Sequence, residues 1–108
     1  MTMPSEDRVG KALTYLAETD LEFGQLAAAK DSEEYLLKHH VARLGLESGE
    51  KSSAARDEQA KASDEYVDLI EKHKDTSAEF YAMQAKRKTE ALIIDVWRSW
   101  NANRRQAA

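Results

Sequence analysis

Residues 63–104 read SDEYVDLIEKHKDTSAEFYAMQAKRKTEALIIDVWRSWNANR, 42 residues without a proline or a glycine. Ser63 is a good N-cap, and Asp64 and Glu65 place negative charge at the positive end of a helix dipole. Nothing after them breaks the chain, so the run predicts one helix of about 63 Å at about 1.5 Å per residue. Its less polar residues fall in two seams. Tyr66, Leu69, His73, Thr76, Phe80, Met83, Arg87, Ile94 and Trp97 recur mostly in steps of three and four. This is the face expected to pack on a helix of the same chain. Ala78, Ala82, Ala85, Thr89, Leu92, Val96 and Trp100 form the second seam, roughly on the opposite side of the helix. One intramolecular partner does not readily cover both. Thr76 and Glu79 repeat a capping-box pattern, which marks the point of the run where a kink would fall.

Toward the N-terminus, Gly45, Ser48 and Gly49 are the only dense cluster of helix stoppers, so the connection belongs at residues 45–52. Ser52-Ser53-Ala54-Ala55 then reads as a short capped helix over residues 52–62. A longer helix is expected over residues 20–46. There Phe23, Lys30, Leu37 and Leu44 keep a seven-residue register, with Leu26, His40 and Val41 beside them. Leu21, Ala28, Tyr35 and Ala42 lie on the other side. The first helix is expected over residues 5–18, capped by Ser5 and carrying the stripe Val9, Ala12, Leu13 and Leu16. Thr19 and Glu22 fit a capping box, which would divide these two helices.

The fold expected is therefore all-α, one domain over residues 1–108. It is an antiparallel helical hairpin with a short N-terminal helix, a long C-terminal helix and coiled-coil-like packing. In that hairpin Leu44 meets Tyr66, Leu26 meets Met83 and Phe23 meets Arg87. A helix over residues 20–46 spans only about 40 Å. The C-terminal helix should overhang it beyond about Glu90, where the first helix is available as cover. Near that end Leu92, Ile93, Ile94, Val96, Trp97 and Trp100 put apolar groups almost all round the helix, and so much exposed apolar surface exceeds what a monomer tolerates. A homo-oligomer is expected, its interface formed by Ala78, Ala82, Ala85, Leu92, Ile93, Val96, Trp97 and Trp100, with Trp100 as anchor. The alternative is that the first helix covers the second seam. A strand over residues 92–97 has no second strand to pair with.

Composition bounds the chemistry. The chain has 108 residues, 16 basic and 20 acidic, for a net charge of -4. With 17 alanines among its apolar residues it has too few large side chains for a deep, ligand-enclosing core. There is no cysteine, hence no disulfide, thiolate metal site or Cys nucleophile. No run is long and apolar enough for a membrane span, and residues 1–18 lack the features of a signal peptide, so a soluble cytoplasmic protein is expected. His39 and His40 point about 100° apart on a helix and cannot share a metal, while His40 and His73 read as fillers of the helix seam. No phosphate-binding glycine loop or nucleophile elbow occurs. No catalytic, cofactor or metal-binding residue is assigned, and neither an enzyme nor a small-molecule substrate is expected.

The charge is unevenly placed. Residues 1–83 carry 10 basic and 18 acidic groups, and residues 84–108 carry 6 basic and 2 acidic, so a body of -8 precedes a tail of +4. Lys86, Arg87, Lys88, Arg98, Arg104 and Arg105 alternate there with Trp97, Trp100, Asn101 and Asn103. Guanidinium forks bind phosphate and exposed indoles stack on bases, a mixture compatible with single-stranded DNA. The same cations also suit the negative end of a helix dipole, or an acidic surface of a second subunit.

The run Lys86-Arg87-Lys88, Glu90, Leu92, Ile94-Asp95-Val96-Trp97-Arg98 and Asn101-Ala102-Asn103-Arg104-Arg105-Gln106 resembles the end of a group of short proteins of tailed phages and prophages. Ala12-Leu13, Tyr15-Leu16, Thr19-Asp20 and Ala62-Ser63-Asp64-Glu65-Tyr66 are similar to the same group. Where the group leads one to expect a glycine soon after Gln106, this chain has Ala107-Ala108. Such proteins tend to be encoded near recombination functions such as single-strand annealing proteins and exonucleases. The resemblance implies a phage origin and a role around DNA recombination or host-nuclease control, and supplies no catalytic residue. The function expected is that of a non-enzymatic accessory protein of the host cytoplasm contacting a phage or host recombination protein or DNA, the alternatives being a purely structural helical assembly protein or a single-stranded DNA-binding module.

Overall fold

The computed structural model describes residues 2–107, which form three helices: α1 (Glu6–Glu47), α2 (Ser53–Lys61) and α3 (Asp64–Ala107). The caps are the serines that the sequence offers. Ser5 Oγ accepts from the Arg8 amide at 3.1 Å, Ser52 Oγ from Ala55 at 3.1 Å and Ser63 Oγ from Tyr66 at 3.2 Å. After α1 the chain turns at Gly49, whose φ of 77° is a conformation that favours glycine.

The long helices α1 and α3 pack against each other in antiparallel fashion, and the fold is the all-α hairpin expected. Two boundaries differ, the first by three residues: α1 runs to Glu47, so the connection expected at residues 45–52 is residues 48–52. The divide expected at Thr19 is absent, and α1 runs unbroken through the segments expected as two helices. Thr19 Oγ1 donates to the Tyr15 carbonyl one turn back at 2.7 Å, so its hydroxyl serves a continuing helix and caps nothing. Thr76 likewise causes no break, since its hydroxyl reaches Glu33 Oε1 at 2.6 Å and the Lys72 carbonyl at 3.2 Å. With α1 at 42 residues and α3 at 44, the expected overhang disappears.

The α1 seam runs Val9, Ala12, Leu16, Thr19, Phe23, Leu26, Lys30, Glu33, Leu37, His40 and Leu44. That of α3 runs Tyr66, Leu69, His73, Thr76, Phe80, Met83, Arg87, Glu90, Ile94, Trp97 and Asn101. Every one of these residues is buried or half-buried, in unbroken alternation of three and four. The contacts group into two compact units, one of Met1–Gly24 with Tyr81–Ala108 and one of Gln25–Phe80.

In the terminal unit Val9, Ala12 and Ile94 form the buried cluster, with Leu16, Ile93 and Trp97 packed on it. The middle unit buries Ala60 of α2 and seats α2 on the last turn of α1. There Gly45 faces Arg56, and a methyl group at Gly45 would lie 3.0 Å from Arg56 Cβ and 3.2 Å from its carbonyl oxygen. The accessible surface is 7848 Å2. No large side chain among the described residues is fully buried.

Candidate functional site

Polar residues at seam positions turn inward and find partners. In the terminal unit the Arg8 fork meets Glu90: Nη2 donates to Oε1 at 2.8 Å, and Nη1 lies 2.7 Å from Oε2 in a charge contact poorly angled for a hydrogen bond. The Arg8 hydrogen bond holds the Glu90 carboxyl below its ordinary range against the opposing effect of burial, and Glu90 in turn raises the Arg8 guanidinium. Arg87 donates to the Leu16 carbonyl at 3.0 Å and to Thr19 Oγ1 at 2.6 Å, pairs with Asp20, and lies 5.1 Å from the Phe23 ring centre. The meeting of Phe23 with Arg87 expected from the register is thus present.

The middle unit has its own polar layers. Glu33 accepts from Thr76 and lies 3.2 Å from His73 Nδ1. Lys30 sits 5.6 Å from the Phe80 ring centre and pairs with Glu34, whose carboxyl it lowers through that hydrogen bond. Arg43 joins Glu65 across the helices and Glu47 along α1, and both contacts raise its guanidinium, that of Glu65 most. His40 and His73, read as seam fillers, do occupy the seam.

The residues expected to make external contacts divide. Arg87 is engaged inside the chain, where its fork closes the α1–α3 seam. Lys86 lies over the Tyr15 ring at 4.5 Å, and Arg104 over Trp100 at 5.0 Å. Lys88, Arg98 and Arg105 are exposed. Ile93 and Trp97, expected in an oligomer interface, pack instead on the Val9–Ala12–Ile94 cluster, since the first part of α1 reaches them. Ala78, Ala82, Ala85, Leu92 and Trp100 remain exposed, and Val96 half-buried. The cover that the first helix was to offer the second seam is therefore not provided by α1. Thr2, Met3, Pro4, Ser5 and Arg8 border its Leu92–Val96 part and Met3 its Trp100 end, in open grooves.

Sequence reasoning passed over Glu90, although it occupies the seam step between Arg87 and Ile94 and the spacing alone could have found it. It also missed the outer face of α1 in the terminal unit. Gly10, Leu13, Thr14, Ala17, Leu21 and Gly24 are all exposed, Leu13 by 55% and Leu21 by 74%. On a wheel they fill a sector of about 100° containing no charged residue between Gly10 and Gly24. In the middle unit the outer face of α3 instead carries Asp64, Glu71 and Asp75.

Among the described residues no group of His, Asp and Glu could hold a metal ion, and no helix is long and apolar enough to cross a membrane. What the surface offers is uncharged helix faces and a basic helix end, which suit contact with a macromolecule. No family model, curated protein or solved structure matches this chain.

Proposed function

We propose that this chain is a non-enzymatic phage or prophage accessory protein that self-associates and acts by contact in the host cytoplasm. The observation that carries the reading is the outer face of α3. Ala82, Ala85, Leu92 and Trp100 stay exposed after the seam has closed, and a helix face of that composition is stabilised by burial against a second helix. The phage setting, and a recombination protein of phage or host as the further partner, rest on the resemblance of the C-terminal run. Protein contact is favoured over single-stranded DNA because Trp97 packs on the core, which leaves Trp100 as a single exposed indole where stacking along a strand uses successive aromatic faces.

The test is the mass of the protein in solution by sedimentation and light scattering over a wide concentration range. We expect a concentration-dependent oligomer that Trp100→Ala dissociates without loss of helical content. A monomer at every concentration would sink the reading. The partner is sought separately by affinity capture from infected cells, where recovery of a recombination protein is the expected result.

A further inference from the structure

The face that receives α3 is the more specific question, and the inference here rests on the self-association just proposed. An isologous contact would set α3 against α3 of a second copy. The charges oppose that arrangement. The α3 stretch 81–107 carries 6 basic and 2 acidic residues, a net +4, so two such stretches repel. The α1 stretch 6–24 carries 5 acidic and 2 basic residues, a net -3. Its pairs within the chain, Arg8 with Glu90 and Asp20 with Arg87, join one acid to one base and leave both values unchanged.

The α1 stretch also has the matching relief. Leu13 and Leu21 stand as exposed ridges beside Gly10, Ala17 and Gly24. Among the described residues nothing beyond the adjacent turns of α1 approaches either glycine, since a Cβ added at Gly10 or Gly24 would meet no further atom within 4 Å. Exposed glycines in mid-helix weaken α1, and no packing contact among the described residues requires them. They leave room for the close approach of a bulky side chain from outside, and Trp100 is such a side chain.

The two faces also look out from opposite sides of the terminal unit. The Asp20–Arg87 pair closes one edge of the α1–α3 seam, and the contact of Lys86 with Tyr15 closes the other. At 100° per residue the uncharged sector of α1 lies round the helix on the Asp20 side, and that of α3 on the Lys86 side. One copy can therefore engage two neighbours at once, and a pair of copies cannot satisfy both faces reciprocally.

We infer that this protein self-associates head to tail, the Leu92–Val96–Trp100 face of α3 in one copy seating on the Gly10–Leu21–Gly24 face of α1 in the next. The contact is heterologous, so it generates assemblies larger than a dimer, closing into a ring or extending into a filament according to the rotation between copies.

Mixing two defective chains tests it. Leu21→Glu spoils only the α1 face and Trp100→Glu only the α3 face. Each alone is expected to sediment as a folded monomer at concentrations where the unaltered chain is oligomeric. Mixed in equal amounts they restore a single intact contact and form a 1:1 complex. Gly24→Gln, which introduces a helix-favouring residue where space is open, gives the same loss as Leu21→Glu and keeps the test independent of folding. Raising salt should weaken the assembly, because the contacting charges are opposite. If Leu21→Glu and Gly24→Gln keep the unaltered oligomer, the contact is α3 to α3 and this inference fails while self-association stands. A mixture that stays monomeric, or an assembly that tightens with salt, also overturns it. An unaltered chain that is monomeric throughout overturns self-association itself.

Discussion

Glu90 shows how one residue sets a response to pH. Its carboxyl is lowered chiefly by the Arg8 hydrogen bond, so the ionised form is favoured more in the folded than in the unfolded chain. That stabilisation is fully present above the ordinary carboxyl value near 4.5 and is lost as pH falls through the lowered folded value. We expect the urea midpoint to drop more steeply below about pH 4.5 in the unaltered chain than in Glu90→Gln, measured by circular dichroism at dilutions that keep the protein monomeric. Two glycines should answer oppositely to the same change. Gly24→Ala meets open space and should stabilise the monomer by about 0.5–1 kcal/mol. Gly45→Ala drives a methyl into the Arg56 backbone of α2, and overpacking of about 1–3 kcal/mol should outweigh its helix-propensity gain. Chemical denaturation of the two variants side by side checks the pair.

At the scale of the element, the polar seam decides what each cation can do. Arg87→Ala removes charged hydrogen bonds to Leu16 and Thr19 and should cost about 1.5–3 kcal/mol. Arg98→Ala, at an exposed position, should stay within about 0.5 kcal/mol. Equal stability of the two variants would contradict the internal role given to Arg87. The seam of α3 was legible from Tyr66 to Trp97 because helical periodicity does not depend on the partner. The continuity of α1 was not, because a threonine and a glutamate three residues apart fit both a helix start and a helix interior. What separates the two is the donor of Arg87, brought to Thr19 from a distant part of the chain. The pairing of Arg8 with Glu90 stayed hidden for the same reason: each reads alone as a solvated charge.

For the whole molecule, self-association and stability are linked. A species that buries its outer faces only in the assembly gains stability by mass action, so the unfolding temperature should rise with protein concentration. Scanning calorimetry over a hundredfold range should show this for the unaltered chain and not for Trp100→Ala. Sequence by itself determined the helical class, a turn at the Gly49 cluster, the caps at Ser5, Ser52 and Ser63, and the division of charge into an acidic body and a basic tail. These follow from local backbone preference and from composition, which each segment carries with it. Only the tertiary structure decided which apolar and charged groups are spent inside the chain. It packed Ile93 beside the Val9–Ala12–Ile94 cluster, gave Arg87 and Glu90 their partners on α1, and left Leu92, Trp100 and the outer face of α1 exposed. Burial is a property of pairs of helices, and the choice of pair is made by long-range packing that no single stretch of sequence encodes.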